Sequence, residues 1–370
     1  MIEALRPLAA RRWDELHPER PPLAGALLIG NGKAPSSKVS FLFFDAQGEP
    51  AVVAKVARNG VAERALRDEL EALEAVRSTG AASVLDGAPT PMGLERVDGR
   101  ATLLLTGLAG RPLYAAYHTP GHTSDRRVVT ADFTAAGDWL ARFQRETAAG
   151  AEPVGPEFVR TFVDPILARY RDDIGWDDVE QALFDDVSGR LAALEGTPIP
   201  LAGSHGDFWM GNLLLDGGRV TGVIDWEVAG VARTPFRDLY KFPTSYAFYM
   251  DRAWPGRGGA VPGHPGREDT AGRWRRFGDW PNLLGFGHAF FGTGWFPDLV
   301  RGWVDRHCDA LGLPPAVNAA FFPLFLAEQA TALDVPEFRD GYRSLLHAVA
   351  AESSQSWLWA AGSPARGPAR

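Results

Sequence analysis

Three oxygen-bearing side chains stand close together in the middle of this chain. In Ser204-His205-Gly206-Asp207-Phe208-Trp209-Met210-Gly211-Asn212 an aspartate is followed five residues later by an asparagine. After two apolar runs, Val223-Ile224-Asp225-Trp226-Glu227 brings a further aspartate. A loop carboxylate such as Asp207 can accept a proton from a hydroxyl, and Asn212 and Asp225 offer hard oxygens of the kind Mg²⁺ takes. Between the runs, Asp216-Gly217-Gly218 is a tight-turn sequence that folds Asp225 back beside the loop. Singly, each of these residues is an ordinary turn or capping residue. The fixed spacing between strand-like runs is what makes the set chemical.

A lysine joins them. Lys55 interrupts the apolar run Val52-Val53-Ala54-Lys55-Val56, where an ammonium without a partner is strongly unfavourable to bury. Downstream, Leu66, Leu70, Leu73 and Val76 recur at helical spacing within Glu63 to Arg77, and Glu69 on that helix is the expected partner. Glu63, Asp68 and Glu71 are rivals, and a lysine snorkelling from an edge strand is the plainer alternative. Around Lys55 the sequence reads as three antiparallel strands, Leu27–Ile29, Val39–Phe44 and Ala51–Val56. The first turn, Gly30-Asn31-Gly32-Lys33 with Ser36 and Ser37, can point free backbone N–H groups at phosphate oxygens. A further apolar strand, Thr102–Thr106, runs into Gly107-Leu108-Ala109-Gly110.

The His205-Gly206-Asp207 to Asn212 loop with Asp225 after it is similar to the H-x-D-x-x-x-x-N loop and metal-binding Asp of protein kinases. More closely, the segment resembles the aminoglycoside phosphotransferase/choline kinase-like family of small-molecule kinases. The resemblance implies an α+β, bilobal protein-kinase-like fold. Its small antiparallel-sheet N-lobe would span residues 1–106 and its larger, mostly helical C-lobe residues 107–370. It also implies ATP and Mg²⁺ as cofactors and transfer of the γ-phosphoryl group to a hydroxyl of a small molecule. Candidate acceptors are an aminoglycoside or other antibiotic, a sugar or amino sugar, or a choline-like or homoserine-like metabolite. By the same resemblance Asp207 is the catalytic base, Asn212 and Asp225 hold the metal, and His205 braces the loop. Lys55, paired with Glu69, contacts the α- and β-phosphates, and Gly30, Gly32 and Ser36 cover them. The hinge at Thr106 to Gly110, with Thr106 and Leu108, meets the purine through its backbone. Asp238, in the family-like turn Thr234-Pro235-Phe236-Arg237-Asp238-Leu239, is structural, and Glu227 either supports the metal or sits at the surface. Two other classes stay open: a nucleotide-binding pseudokinase, and a metal-dependent hydrolase, which would want more histidines than this stretch offers.

Composition sets the frame. The chain has 370 residues, 45% hydrophobic and 23% charged, with formal net charge −8. That balance suits an ordinary globular protein, and the charge argues against a general nucleic-acid binder. Its single cysteine, Cys308, permits no internal disulfide. No signal-peptide pattern opens the chain and no apolar run reaches membrane-span length. The expectation is therefore a cytoplasmic enzyme with no membrane and no implied protein partner. The remainder reads as helices over 3–16, Asp132–Thr147, Phe158–Arg171 and Val179–Leu194, then aromatic-rich core helices from 282 to 360. Nine acids face three arginines between 164 and 195, a solvated helical face in the first instance. Trp254 to Gly266, dense in glycine and proline, reads as a loop or lid, and Gly362 to Arg370 as a frayed tail.

Overall fold

Side-chain alternation decides the first sheet. In the computed structural model, which describes residues 1–30, 36–249, 264, 273–332 and 335–359, helix α1 (Ile2–Leu16) precedes five strands: β1 (Leu23–Ile29), β2 (Lys38–Asp45), β3 (Pro50–Ala57), β4 (Pro91–Val97) and β5 (Arg100–Thr106). They form one antiparallel sheet in the order β1-β2-β3-β5-β4. Leu5, Ala9 and Trp13 of α1 pack on Phe41, Phe43, Val52, Ala54 and Val56. Because successive strand side chains point to opposite faces, the residues between them, Ser40 and Lys55, belong to the other face. There lies α2 (Gly60–Arg77), capped by Asn59, whose side chain accepts from the Ala62 N–H, and burying Ala62, Leu66, Glu69, Leu73 and Val76.

The chain forms two compact units. The first holds Met1–Ala116, Thr134–Ala149 and Ala202–Arg233. Besides the sheet it contains α3 (Ala82–Gly87), β6 (Arg111–Pro112), nearly all of α4 (Leu113–Tyr117) and the later turns of α5 (Arg126–Glu146). The second holds Tyr117–Phe133, Gly150–Leu201 and the described residues from Thr234 onward.

In the second unit β7 (Ala151–Pro153) is followed by α6 (Pro156–Phe162), α7 (Asp164–Asp173), α8 (Asp178–Ala193) and β8 (Pro198–Pro200), with β7 pairing β8. The single helix expected over Phe158–Arg171 is two. The break falls at Val163, where Pro165 in the first turn of α7 has no N–H to continue the helix before it. Eight of the nine acids counted in this region are exposed; the ninth, Glu180, is fully buried. It accepts from Tyr170 at 2.6 Å, from Arg343 at 2.9 and 2.8 Å, and from the Asp177 N–H at 2.8 Å.

Returning to the first unit, β9 (Ala202–Ser204), β10 (Leu213–Asp216), β11 (Arg219–Val223) and β12 (Gly230–Arg233) pair as β11-β10-β6 and β12-β9. The Asp216-Gly217-Gly218 turn is a two-residue hairpin with φ of +55° and +75° at its glycines, the left-handed region that a primed turn demands. The second unit closes with α9 (Phe236–Phe248), α10 (Asn282–Phe291), α11 (Trp295–Ala310), α12 (Val317–Ala332) and α13 (Pro336–Glu352). Most of their aromatics are core, as expected: Phe286, Phe290, Phe291, Phe296, Trp303, Phe321, Phe322 and Phe325 are buried, while Trp295 is half-buried. The expected loop at Trp254 to Gly266, apart from His264, and the tail Gly362 to Arg370 lie outside the described residues. Among the described residues no helix is long and apolar enough to cross a membrane.

Candidate active site

Hairpin register brings the distant acid back to the loop. Leu213 on β10 faces Val223 on β11, and one step further the Ile224 N–H donates to the Asn212 carbonyl at 3.0 Å. Asn212 and Asp225 thus leave the two arms side by side. Asn212 is 3% exposed, and its side-chain amide donates to the Asp207 carbonyl at 2.9 Å and to Asp207 Oδ2 at 3.1 Å. His205, fully buried, ties the arms together: Nε2 lies 3.0 Å from the Ile224 carbonyl, and Nδ1 accepts the Asp207 N–H at 3.3 Å. With Nδ1 accepting, Nε2 is the nitrogen that carries the proton. Trp226 and the imidazole meet in a T-shaped arrangement, with ring centroids 4.7 Å apart.

Backbone geometry around the loop is demanding. Gly206 has φ +78°, and a Cβ there would stand 2.5 Å from the Val228 carbonyl oxygen. Asp225 itself holds φ +63°, a left-handed conformation that a non-glycine residue keeps only where its surroundings enforce it.

The Asp225 side chain meets Lys55. Its ammonium lies 2.5 Å from Glu69 Oε1 and 2.5 Å from Asp225 Oδ1. Burial alone would lower the lysine pKa, but the carboxylates of Asp225 and Glu69 outweigh it and hold the ammonium well above its ordinary value. In return Lys55, against the opposing effect of burial, draws the Asp225 carboxyl below the usual carboxylate range. Among the candidate partners for Lys55, only Glu69 is fully buried; Asp68 and Glu71 are exposed, and Glu63 instead engages Arg67 and Arg96.

One charged residue here escaped the sequence reading. Lys38, the first residue of β2, is 6% exposed, bonds Glu227 and lies 3.9 Å from Glu69 Oε2. Burial pushes its pKa down, partly offset by Glu69. A signal was present: counting back in twos from Ser40 puts Lys38 on the Lys55 face, while Val39, Phe41 and Phe43 take the α1 face.

The remaining candidates lie in the first turn and at the hinge. Gly30 is exposed at the end of the described part of the first turn, Ser36 is half-buried, and Gly32 lies outside the described residues. At the hinge, the Thr106 N–H donates to Thr90 and the Gly107 N–H to Ala51, at 2.9 and 2.7 Å. The N–H groups of Thr106 and Gly107 are thus already engaged by neighbouring backbone carbonyls. The Leu108 side chain covers Gly222, where a Cβ would lie 3.0 Å from it. Asp238 is fully buried in α9, in keeping with a structural role.

The donor set suits Mg²⁺. Lys55 takes Oδ1 of Asp225, and the Asn212 nitrogen faces Asp207, so Asp225 Oδ2 and Asn212 Oδ1 are the oxygens left to a cation. One carboxylate and one amide oxygen on adjacent arms match a hard ion that keeps several of its waters. A loop carboxylate, a buried lysine–glutamate pair and two oxygen donors are the residue types that phosphoryl transfer uses.

Comparisons with known proteins agree. By structure, the chain is similar to a thermostable mutant of aminoglycoside phosphotransferase APH(4)-Ia in its apo form, with TM-score 0.50 and 16% identity over 93% of this chain and 99% of that one. The same enzyme in ternary complex with AMP-PNP and hygromycin B matches with TM-score 0.51 and 15% identity, over 97% and 99% of the two chains. These likenesses show the protein-kinase-like fold. No curated protein matches by sequence. Residues 31–255 match the phosphotransferase enzyme family, APH, and since that is more than half of the chain, the protein belongs to this family.

Proposed function

We propose that the protein is an ATP-dependent small-molecule kinase that moves the γ-phosphoryl group of ATP to a hydroxyl of an aminoglycoside, another antibiotic, a sugar or an amino sugar. In this reading residues 1–106 form the nucleotide-covering lobe and 107–370 the helical lobe. The observation that carries it is the bridging of Glu69 and Asp225 by Lys55 beside the Asn212–Asp207 pair. Family membership supports it, as do the ADP and AMP-PNP complexes with hygromycin B recorded for APH(4)-Ia. A donor such as ATP and the single cysteine favour a cytoplasmic location.

The chemistry follows from the geometry. Asp207, oriented by Asn212, takes the proton of the acceptor hydroxyl as that oxygen attacks the γ-phosphorus. The bond from the γ-phosphorus to the bridging oxygen breaks, and ADP leaves. Lys55 holds the α- and β-phosphates, and Glu69 keeps the ammonium aimed at them. Mg²⁺ on Asn212 and Asp225, when bound, neutralises charge on the phosphate oxygens. The protein contributes position and fixed charge more than covalent chemistry.

The test is a panel of hydroxylated acceptors with ATP, read by ADP release and by the mass of the product. Acceptor-dependent ADP release with a product heavier by one phosphoryl group supports the reading. Nucleotide binding without any transfer would make the protein a pseudokinase, and hydrolysis of an ester without ATP would make it a metal-dependent hydrolase.

A further inference from the structure

We propose that Lys38 is a second nucleotide-binding lysine, held by Glu227 in this structure, whose ammonium passes to the terminal phosphates when a nucleoside triphosphate binds. The inference rests on the phosphotransferase reading and goes beyond it by assigning a contact that Lys55 and its partners leave open.

Register places Lys38 where this requires. On the β2–β3 pair, Ser40 faces Lys55 and Lys38 faces Ala57, so Lys38 and Lys55 share a sheet face about two residue steps apart, roughly 7 Å along the strand.

Charge completes the argument. Lys38, Lys55, Glu69, Asp225 and Glu227 form one chain of ion pairs, with two ammoniums against three carboxylates. A polyphosphate entering that cluster needs a cation to turn toward it. Lys55 stays tied to fully buried Glu69 while it meets the α- and β-phosphates, and its more exposed partner, Asp225, is needed for the metal. Lys38 is held from its other side by Glu227, whose side chain is 34% exposed, so water can reach that carboxylate when the lysine leaves it. Lys38 in turn lies near Glu69 Oε2, a buried oxygen without a hydrogen bond, at 3.9 Å, so a counter-charge stays with it after Glu227 is released. A lysine, with its compact charge on a flexible stem, suits such an exchange better than an arginine fork.

The experiment is equilibrium binding of AMP-PNP and of AMP, both with Mg²⁺, to the full-length wild type and to Lys38→Met, Glu227→Gln and Lys55→Met. Lys38→Met is expected to weaken AMP-PNP on the order of tenfold, as the loss of one charge-assisted hydrogen bond entails, with little change for AMP. Glu227→Gln is expected to tighten AMP-PNP, because it frees the lysine. If Lys38 only tethers the Asp225 loop through Glu227, both variants weaken binding alike, and the inference is overturned. Wild-type-like AMP-PNP binding by Lys38→Met, with binding lost in Lys55→Met, overturns the inference alone. Failure of the wild type to bind AMP-PNP overturns the functional reading together with it. Should Lys38→Met not fold, the sign of the Glu227→Gln effect decides: tightening supports the proposal and weakening rejects it.

Discussion

Asn212 donates its side-chain amide to Asp207 twice, at 2.9 Å to the main-chain carbonyl and 3.1 Å to the carboxylate. The residue expected on the metal therefore also sets the rotamer of the expected base. Asp207→Asn keeps the shape and removes the basicity, so kcat should fall by about 10²–10⁴ with nucleotide affinity nearly unchanged. Turnover within a few-fold of wild type on the true acceptor would remove Asp207 from its role.

Asp225 combines a charge with a left-handed backbone, and two substitutions separate them. Asparagine tolerates that conformation well and alanine poorly. Asp225→Asn should abolish Mg²⁺-dependent turnover while losing little beyond the Lys55 ion pair. Asp225→Ala should lose the same activity and a further 1 kcal/mol or so of stability. Thermal unfolding and Mg²⁺ titration of both variants check this, and wild-type Mg²⁺ dependence in either one would contradict the metal assignment.

Gly206 has neither the φ nor the room for a side chain, with the Val228 oxygen 2.5 Å from the Cβ position. Gly206→Ala should destabilise by about 1–3 kcal/mol and lower kcat as well, since the same peptide carries His205 into Asp207. Denaturant unfolding at normal stability would show that the loop relaxes more readily than this geometry implies.

Glu146 offers a pH test away from the site. It accepts the Ser83 N–H at 2.7 Å and the Arg142 side chain at 2.8 Å. Burial tends to raise its pKa, but these donors hold the carboxyl down at about 2. Because the folded value is depressed, its stabilisation is complete above the unfolded value of about 4.3 and is lost as pH falls toward about 2. Glu146→Gln should therefore cost about 1 kcal/mol at pH 7, with the gap to wild type narrowing between pH 5 and pH 3. A gap that stays constant over that range would mean the charge of Glu146 contributes nothing.

Glu180 anchors α13 to α7 and α8 through Arg343 and Tyr170. Glu180→Ala leaves these donors without their acceptor and should destabilise by about 3 kcal/mol in denaturant unfolding. A loss below about 1 kcal/mol would show that water or Asp177 replaces it.

Much of the site was legible in the sequence because it is local. Asp207 and Asn212 share one loop, a two-glycine turn returns Asp225, and a lysine in an apolar strand announces a buried partner. That the partner is Glu69, not Glu63, Asp68 or Glu71, follows from which face of α2 meets the sheet, and helical spacing left four acids in play. The break between α6 and α7 was readable from Pro165 but lay hidden under a continuous apolar period. Lys38 and Glu227 stand 189 residues apart, and Glu180 and Arg343 163 apart. No local pattern joins such residues. Their pairing depends on strand register and on which helix faces come into contact, and those are decided only when distant segments bury their apolar surfaces together.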